Sequence, residues 1–171
     1  MTLIRALITL SVISFALNDW NAQAQGIPPE GPLSITFTVT QIPPPKPMSI
    51  GSGKLFAVNS QVMAAVNDDG NPILHNMGGE CQFSRLIDTS AKTLELHGYC
   101  TYVDKDGDQI FEQCDFVPGA PNQCKLTGGT GKFAGLEATV AITSGPVKSI
   151  SDGVGQSIGR KKGTYRIVKT Q

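Results

Sequence analysis

Apolar and polar residues alternate with a period of two along most of the chain. Beyond residue 24 no apolar period of 3.6 is sustained. Ser34–Thr40 (SITFTVT) puts Ile35, Phe37 and Val39 on one face and hydroxyl residues on the other, the pattern of a half-buried strand. Further strands are predicted at 52–58 and 61–66 (two strands or one bent strand), 80–88, 93–103, 109–116, 122–127, 137–143 and 164–169. On the 93–103 strand, Leu94, Leu96, Gly98, Cys100 and Tyr102 form the more apolar face and are assigned inward. Turn clusters punctuate the strands, at Asn67–Pro72, Thr89–Lys92 and Asp104–Asp108. The last of these holds Asp-Gly between alternating β-formers, a strong hairpin signal. Ile73–Gly79 fits no pattern. Ser144–Gly163 is too long for a structureless loop, so Gly155–Gly163 is expected to extend the final strand. Eight or nine short strands separated by turns predict an all-β barrel or sandwich.

The first 24 residues break this pattern. Arg5, the apolar run Ala6–Leu17 and Ala22-Gln23-Ala24 have the layout of a secretory signal peptide with an A-x-A cleavage site. The apolar run is shorter than the ~20 residues that cross a bilayer. The expected organisation is therefore a signal peptide over 1–24 and one β-barrel domain over 25–171, with no membrane span after cleavage. The protein is then secreted or periplasmic. Its 14 basic and 14 acidic residues balance, which argues against a nucleic-acid partner.

In an exported chain, four cysteines imply two disulfides. A tight turn at Thr89–Lys92 pairs residues whose numbers sum to about 181, which sets Cys81 opposite Cys100. Cys114 and Cys124 flank the 115–123 loop and are placed to clamp it. The rival pairing joins Cys100 to Cys114 and Cys81 to Cys124; geometry favours the local set without excluding the other. No C-x-x-C pair occurs, and His75 and His97 lack ligand spacing, so no metal site is expected.

Three motifs invite chemistry. Asp104-Lys105-Asp106-Gly107-Asp108 has the acids of a calcium loop, but its glycine is fourth rather than sixth; a hairpin turn with solvated acids is the simpler reading. Gly128–Gly135 (GGTGKFAG) resembles a phosphate loop but lacks the spacing, so its glycines are read as backbone devices at a barrel end. His97 and Glu95 share an outward face as an exposed polar pair. Glu112 faces solvent if Phe111 faces inward, and enters the interior if the hairpin register slips by one. A buried Glu112 is the weak candidate for a catalytic base. Arg160-Lys161-Lys162 reads as a solvated strand edge. No nucleophile motif and no cofactor motif is present.

The run GYCTYVDKDGDQIF, the cysteine loop and then LTGGTGKFAGLEATV resemble the allene oxide cyclase and dirigent-like barrel superfamily, in particular its small exported bacterial members. The resemblance covers about 80–143. It implies an eight-stranded antiparallel calycin-like barrel whose cavity holds an apolar molecule. It carries no catalytic group onto a residue of this chain. The expected function is an exported barrel that binds a small apolar ligand without catalysis. The alternative is a cofactor-free isomerase or cyclase of the allene oxide cyclase or dirigent type. Tyr102, Glu112 and Tyr165 are the residues expected to meet the ligand, and no cofactor is expected. Oligomerisation is left open.

Overall fold

The computed structural model describes residues 26–41, 46–149 and 151–168. The predicted signal peptide lies outside the described residues. Nine strands follow one another: β1 (Glu30–Gln41), β2 (Met48–Gly51), β3 (Lys54–Asn67), β4 (Met77–Asp88), β5 (Thr93–Val103), β6 (Gln109–Phe116), β7 (Gln123–Gly129), β8 (Leu136–Pro146) and β9 (Gly155–Ile167). A single 3-10 turn, Gly131–Phe133, joins β7 to β8. All pairings between the strands are antiparallel. β1 pairs with both β9 and β3, which closes every strand except β2 into an eight-stranded barrel. The short β2 adds only to the start of β3. The two segments predicted at 52–58 and 61–66 are one continuous strand.

Period-two alternation then fills the lumen. Inward positions of β1, β4, β5, β6 and β8 supply Ile35, Phe37, Met77, Phe83, Tyr102, Ile110, Leu136 and Val140, all buried. Leu94, assigned inward from the pattern, is 44% exposed because it sits at the strand's rim. A recurring device fits four aromatic rings into this narrow space: each of these lies directly opposite a glycine. Phe37 faces Gly159, Phe83 faces Gly98, Tyr102 faces Gly79 and Tyr165 faces Gly31. A Cβ on Gly98 would come within 2.4 Å of the Phe83 ring, and one on Gly79 within 2.5 Å of Tyr102. The missing side chain is the room the ring occupies.

Both disulfides span directly opposed residues, Cys81 with Cys100 on β4–β5 and Cys114 with Cys124 on β6–β7. The local connectivity holds. All four sulfur-bearing residues point into the lumen and are buried. Each bridge contributes about 2–4 kcal/mol.

One end of the barrel is plugged. The segment 71–76, which fits neither period in the sequence, turns its Ile73 and Leu74 into the lumen with no exposed surface. Asn67 holds it there: its side-chain amide donates to the Ile73 carbonyl at 2.9 Å, and its Oδ1 accepts the Asp69 N–H at 2.8 Å. Phe133 from the 3-10 turn completes the plug beside Ile110 and Leu136.

Replacing Gly98 by Ala pushes a methyl group into the Phe83 ring. We expect a loss of about 1–3 kcal/mol in urea-unfolding stability, the usual cost of overpacking. Phe83→Leu in the same chain makes room, so the double variant should lose less than the sum of the single losses. Strict additivity would show that the ring and the glycine do not share space.

Candidate functional site

Three polar side chains meet inside the barrel. Glu112 on β6 follows outward Phe111 and alternates with buried Ile110 and Cys114, in unbroken register with β5; the bulge opposite lies on β7, where Thr127 is the extra residue. Glu112 therefore points inward, 1% exposed, across from Cys100. Lys161 on β9 is equally buried, on the same face as Gly159 and Tyr165. Its ammonium donates to Glu112 Oε1 at 2.6 Å, to Oε2, and to the Tyr102 hydroxyl at 2.9 Å. The Tyr102 hydroxyl in turn donates to Glu112 Oε2 at 2.9 Å. The rings of Phe37 and Tyr102 flank the ammonium, their centroids 5.1 and 5.2 Å away. Burial first, and then the charge and hydrogen bond of Glu112, raise Tyr102 well above the ordinary phenol range. Tyr102 stays a protonated donor.

Lys161 corrects the sequence reading. Arg160 and Lys162 are exposed, as a solvated edge should be, but Lys161 between them is a lumen residue. Its parity with Tyr165, four positions on, was the available signal.

Above this polar layer, toward the end away from the plug, lies a cavity of about 130 Å³. Glu112 and Lys161 form its floor, Phe37, Met63 and Phe83 its wall, and Leu96, Phe116 and Ile142 its rim. The Phe83 and Phe116 rings stack with centroids 6.3 Å apart. A broader groove of about 920 Å³ runs over β7, β8, β9 and β1, rimmed by exposed Thr127, Glu137, Thr139 and Arg166. Its one charged pair, Arg166 with Glu137 at 2.6 Å, is solvated, and Tyr165 is the one buried polar side chain that lines it. The lumen cavity is the better site despite its size.

The predicted site residues thus separate. Tyr102 and Glu112 come together, joined by the unforeseen Lys161. Tyr165 lies apart, in the lining of the broader groove, its hydroxyl accepting a hydrogen bond from Asn71 at 2.7 Å near the plugged end. Glu112, Cys114 and Cys124 bring potential ligand atoms within 4.8 Å of one another. Both sulfurs are tied up in a disulfide, so that set offers a metal one carboxylate and no thiolate.

The acidic hairpin is occupied from within. Lys132 places its ammonium among the carboxylates, contacting Asp104, Asp106 at 2.7 Å and Asp108 at 3.8 Å. Asp104 Oδ1 accepts the Asp106 and Asp108 N–H groups at 2.8 and 3.0 Å, shaping the turn. Lysine stands where a cation would. Hydrogen bonds from Lys105 and Lys132 hold Asp106 at about 2. Gly131, at φ +51°, lies so close to Asp108 that a Cβ would overlap its carboxylate. The two motifs of the sequence are halves of one clasp. His97, outward as read, has a nearer partner than Glu95: its Nδ1 is 2.7 Å from Asp115 Oδ1 across β5–β6.

No protein-family model matches the chain. No curated protein matches it. Among solved structures it is similar to the pterocarpan synthase dirigent protein GePTS1, at 11% identity and a TM-score of 0.52, over 83% of this chain and 88% of that one. Likeness at that identity is likeness of fold: the chain has a dirigent-like barrel. It does not extend the resemblance to allene oxide cyclases.

Glu112→Gln or Lys161→Met leaves one buried charge without its partner, and each should cost about 3–5 kcal/mol in denaturant unfolding. Glu112→Leu with Lys161→Met removes both charges and should recover most of that loss. A double variant as unstable as either single one would show that the pair stabilises the barrel outright. At the hairpin, the sign follows from Asp106, whose carboxyl falls from its ordinary 3.8 to about 2 on folding. Its contribution is present above pH 3.8 and is lost as pH falls through about 2. Lys132→Met should therefore lower the thermal midpoint at pH 5, with the gap to the wild type closing as pH falls toward 2.

Proposed function

We propose that this protein is an exported barrel that binds a small apolar molecule, or the apolar end of a larger one, in its lumen without transforming it. The observation that carries the reading is the 130 Å³ cavity, walled by Phe37, Phe83, Phe116 and Ile142 and open at the end away from the plug. An apolar cavity of about 150 Å³ is enough to hold benzene. Whole drug-sized ligands need about 300–1,000 Å³, so the lumen suits a compact group. The structural neighbour is by name a dirigent protein and a pterocarpan synthase, which supports small-molecule handling as a use of this architecture. Fold likeness alone does not choose a substrate.

The internal pairing argues against catalysis. Both Glu112 oxygens accept from Lys161, and one also accepts from Tyr102. Three of the carboxylate's about four lone-pair positions are taken inside the chain, which leaves a substrate proton one position on Oε1. The second reading is a cofactor-free isomerase or cyclase, and one observation favours it: Glu112 and Lys161 line the cavity floor, where a bound molecule would touch them.

Export rests on the leader over 1–24 and on two buried disulfides with no free cysteine among the described residues, the signature of an oxidising compartment. No helix of the described residues is long and apolar enough to cross a membrane. Secretion or periplasmic residence follows from the same reasoning.

Titration of the mature protein with toluene and 1-hexanol, followed by amide NMR shifts, tests the binding reading. Shifts should concentrate at Leu96, Phe116, Ile142 and Ser157, and Ser157→Phe at the rim should weaken binding at least tenfold. Shifts confined to the outer groove, or none at all, would overturn it. A bound molecule that the wild type converts and Glu112→Gln leaves intact would move the assignment to the isomerase.

A further inference from the structure

The open end of the barrel carries a second polar group that the binding reading has not used. Arg85 on β4 follows Phe83 by two residues and shares its inward face. Its guanidinium donates to Asn59 Oδ1 and to Gln41 Oε1, both at 2.6 Å. Neither acceptor is charged. No carboxylate of the described residues lies within ion-pair distance of the half-buried Arg85, although Lys161, the one buried cation among them, has one.

Asn59 supplies an independent sign. It is 3% exposed, and its Nδ2 is the only buried side-chain polar atom among the described residues without a hydrogen-bond partner. Its orientation is not free. A guanidinium has only N–H donors, so Asn59 must turn Oδ1 toward it, which leaves Nδ2 facing away with nothing to bond. An unmet buried donor is costly and rare in a folded protein. Burial also pushes the Arg85 guanidinium below its ordinary value, the mark of a cation partly removed from water.

Position ties both groups to the cavity. Gln61, two residues from Asn59 on the same face, and Phe83, two from Arg85, line it. One same-face step along a strand is about 7 Å. We infer that Arg85 and Asn59 form a recognition site for a carboxylate, carried by a ligand whose apolar part enters the lumen. A carboxylate matches the requirement: it takes two parallel N–H donors from the guanidinium, and by displacing Asn59 Oδ1 it lets the amide turn its Nδ2 onto the ligand. Depositing one negative charge there neutralises Arg85 while leaving the balanced Glu112–Lys161 pair undisturbed. The substrate class is a small apolar acid. This inference rests on the lumen binding proposed above.

The test compares hexanoate, 1-hexanol and acetate on the mature wild-type protein by calorimetry and NMR at neutral pH. Hexanoate should bind at least tenfold tighter than 1-hexanol, weaken as salt rises, and exceed acetate by a similar factor. Arg85→Gln should erase the preference for hexanoate over 1-hexanol while leaving 1-hexanol binding in place, and Asn59→Ala should reduce it. The comparison between ligands on the wild type needs no variant to fold. Equal binding of hexanoate and 1-hexanol, or a preference that survives Arg85→Gln, overturns the carboxylate site alone. Acetate binding as tightly as hexanoate overturns its link to the lumen. If none of the three binds, the lumen-binding reading falls and this inference falls with it.

Discussion

The Lys161 ammonium held against the Glu112 carboxylate ties β9 to β6 across the inside of the barrel, where no backbone ladder joins them. Tyr102 adds β5 to the same knot. Such a pair is a poor source of net stability, because desolvating two charges offsets most of their attraction. Its value is in register. A one-residue slip of β9 would turn Arg160 and Lys162 into the lumen and expose Lys161, and would also carry Gly159 away from the Phe37 ring. One of them would take Lys161's place opposite Glu112, and the other would face the lumen with no acid to meet it. The interior charge therefore selects one closure of the barrel among those the alternating pattern would permit.

That layer also divides the lumen into two unlike halves. Toward the plugged end, Ile73, Leu74, Phe133 and Leu136 fill the space, and the Asp104–Asp108 hairpin clasps Lys132 outside it. Toward the other end the side chains thin out, and Gln61, Ser144 and Ser157 line a cavity that aromatic rings only partly close. The most motif-rich stretch of the sequence thus builds the closed end. Its glycines and acids are there for backbone shape and charge neutralisation. The chemistry lies at mid-barrel and at the open rim, in residues that belong to no motif.

What could be read beforehand follows from this division. Short-range rules reached the hairpins: the Thr89–Lys92 turn fixed the sum that set Cys81 against Cys100, and period two gave Tyr102 its inward face. Glu112 stayed undecided because the Asp104–Asp108 turn left the hairpin register open by one residue, and only the observed pairing with Cys100 sets it. Lys161 was hidden by composition. Three adjacent cations suggest a solvated edge, and only parity with Tyr165 distinguishes the middle one. Ile73 and Leu74 were beyond any periodic reading, since a plug follows the shape of the barrel end rather than a repeat. The glycine opposite each of Phe37, Phe83, Tyr102 and Tyr165 was visible as composition but legible only once the pairing was known.

The two interior cations now stand in contrast. Lys161 meets a carboxylate, a phenol and two ring faces, so its charge is answered by the chain itself. Arg85 meets two neutral amides, and one of those amides is left with an unmatched donor as a consequence. A fold that neutralises one cation and leaves the other without a carboxylate among the described residues, at the end of the lumen away from the plug, has placed its imbalance where a ligand can correct it. On the proposed reading, the balanced pair leaves the floor to the apolar part of a ligand, and the unbalanced one selects for an acid at the rim. That distribution favours a barrel built to hold an acid over one built to transform it.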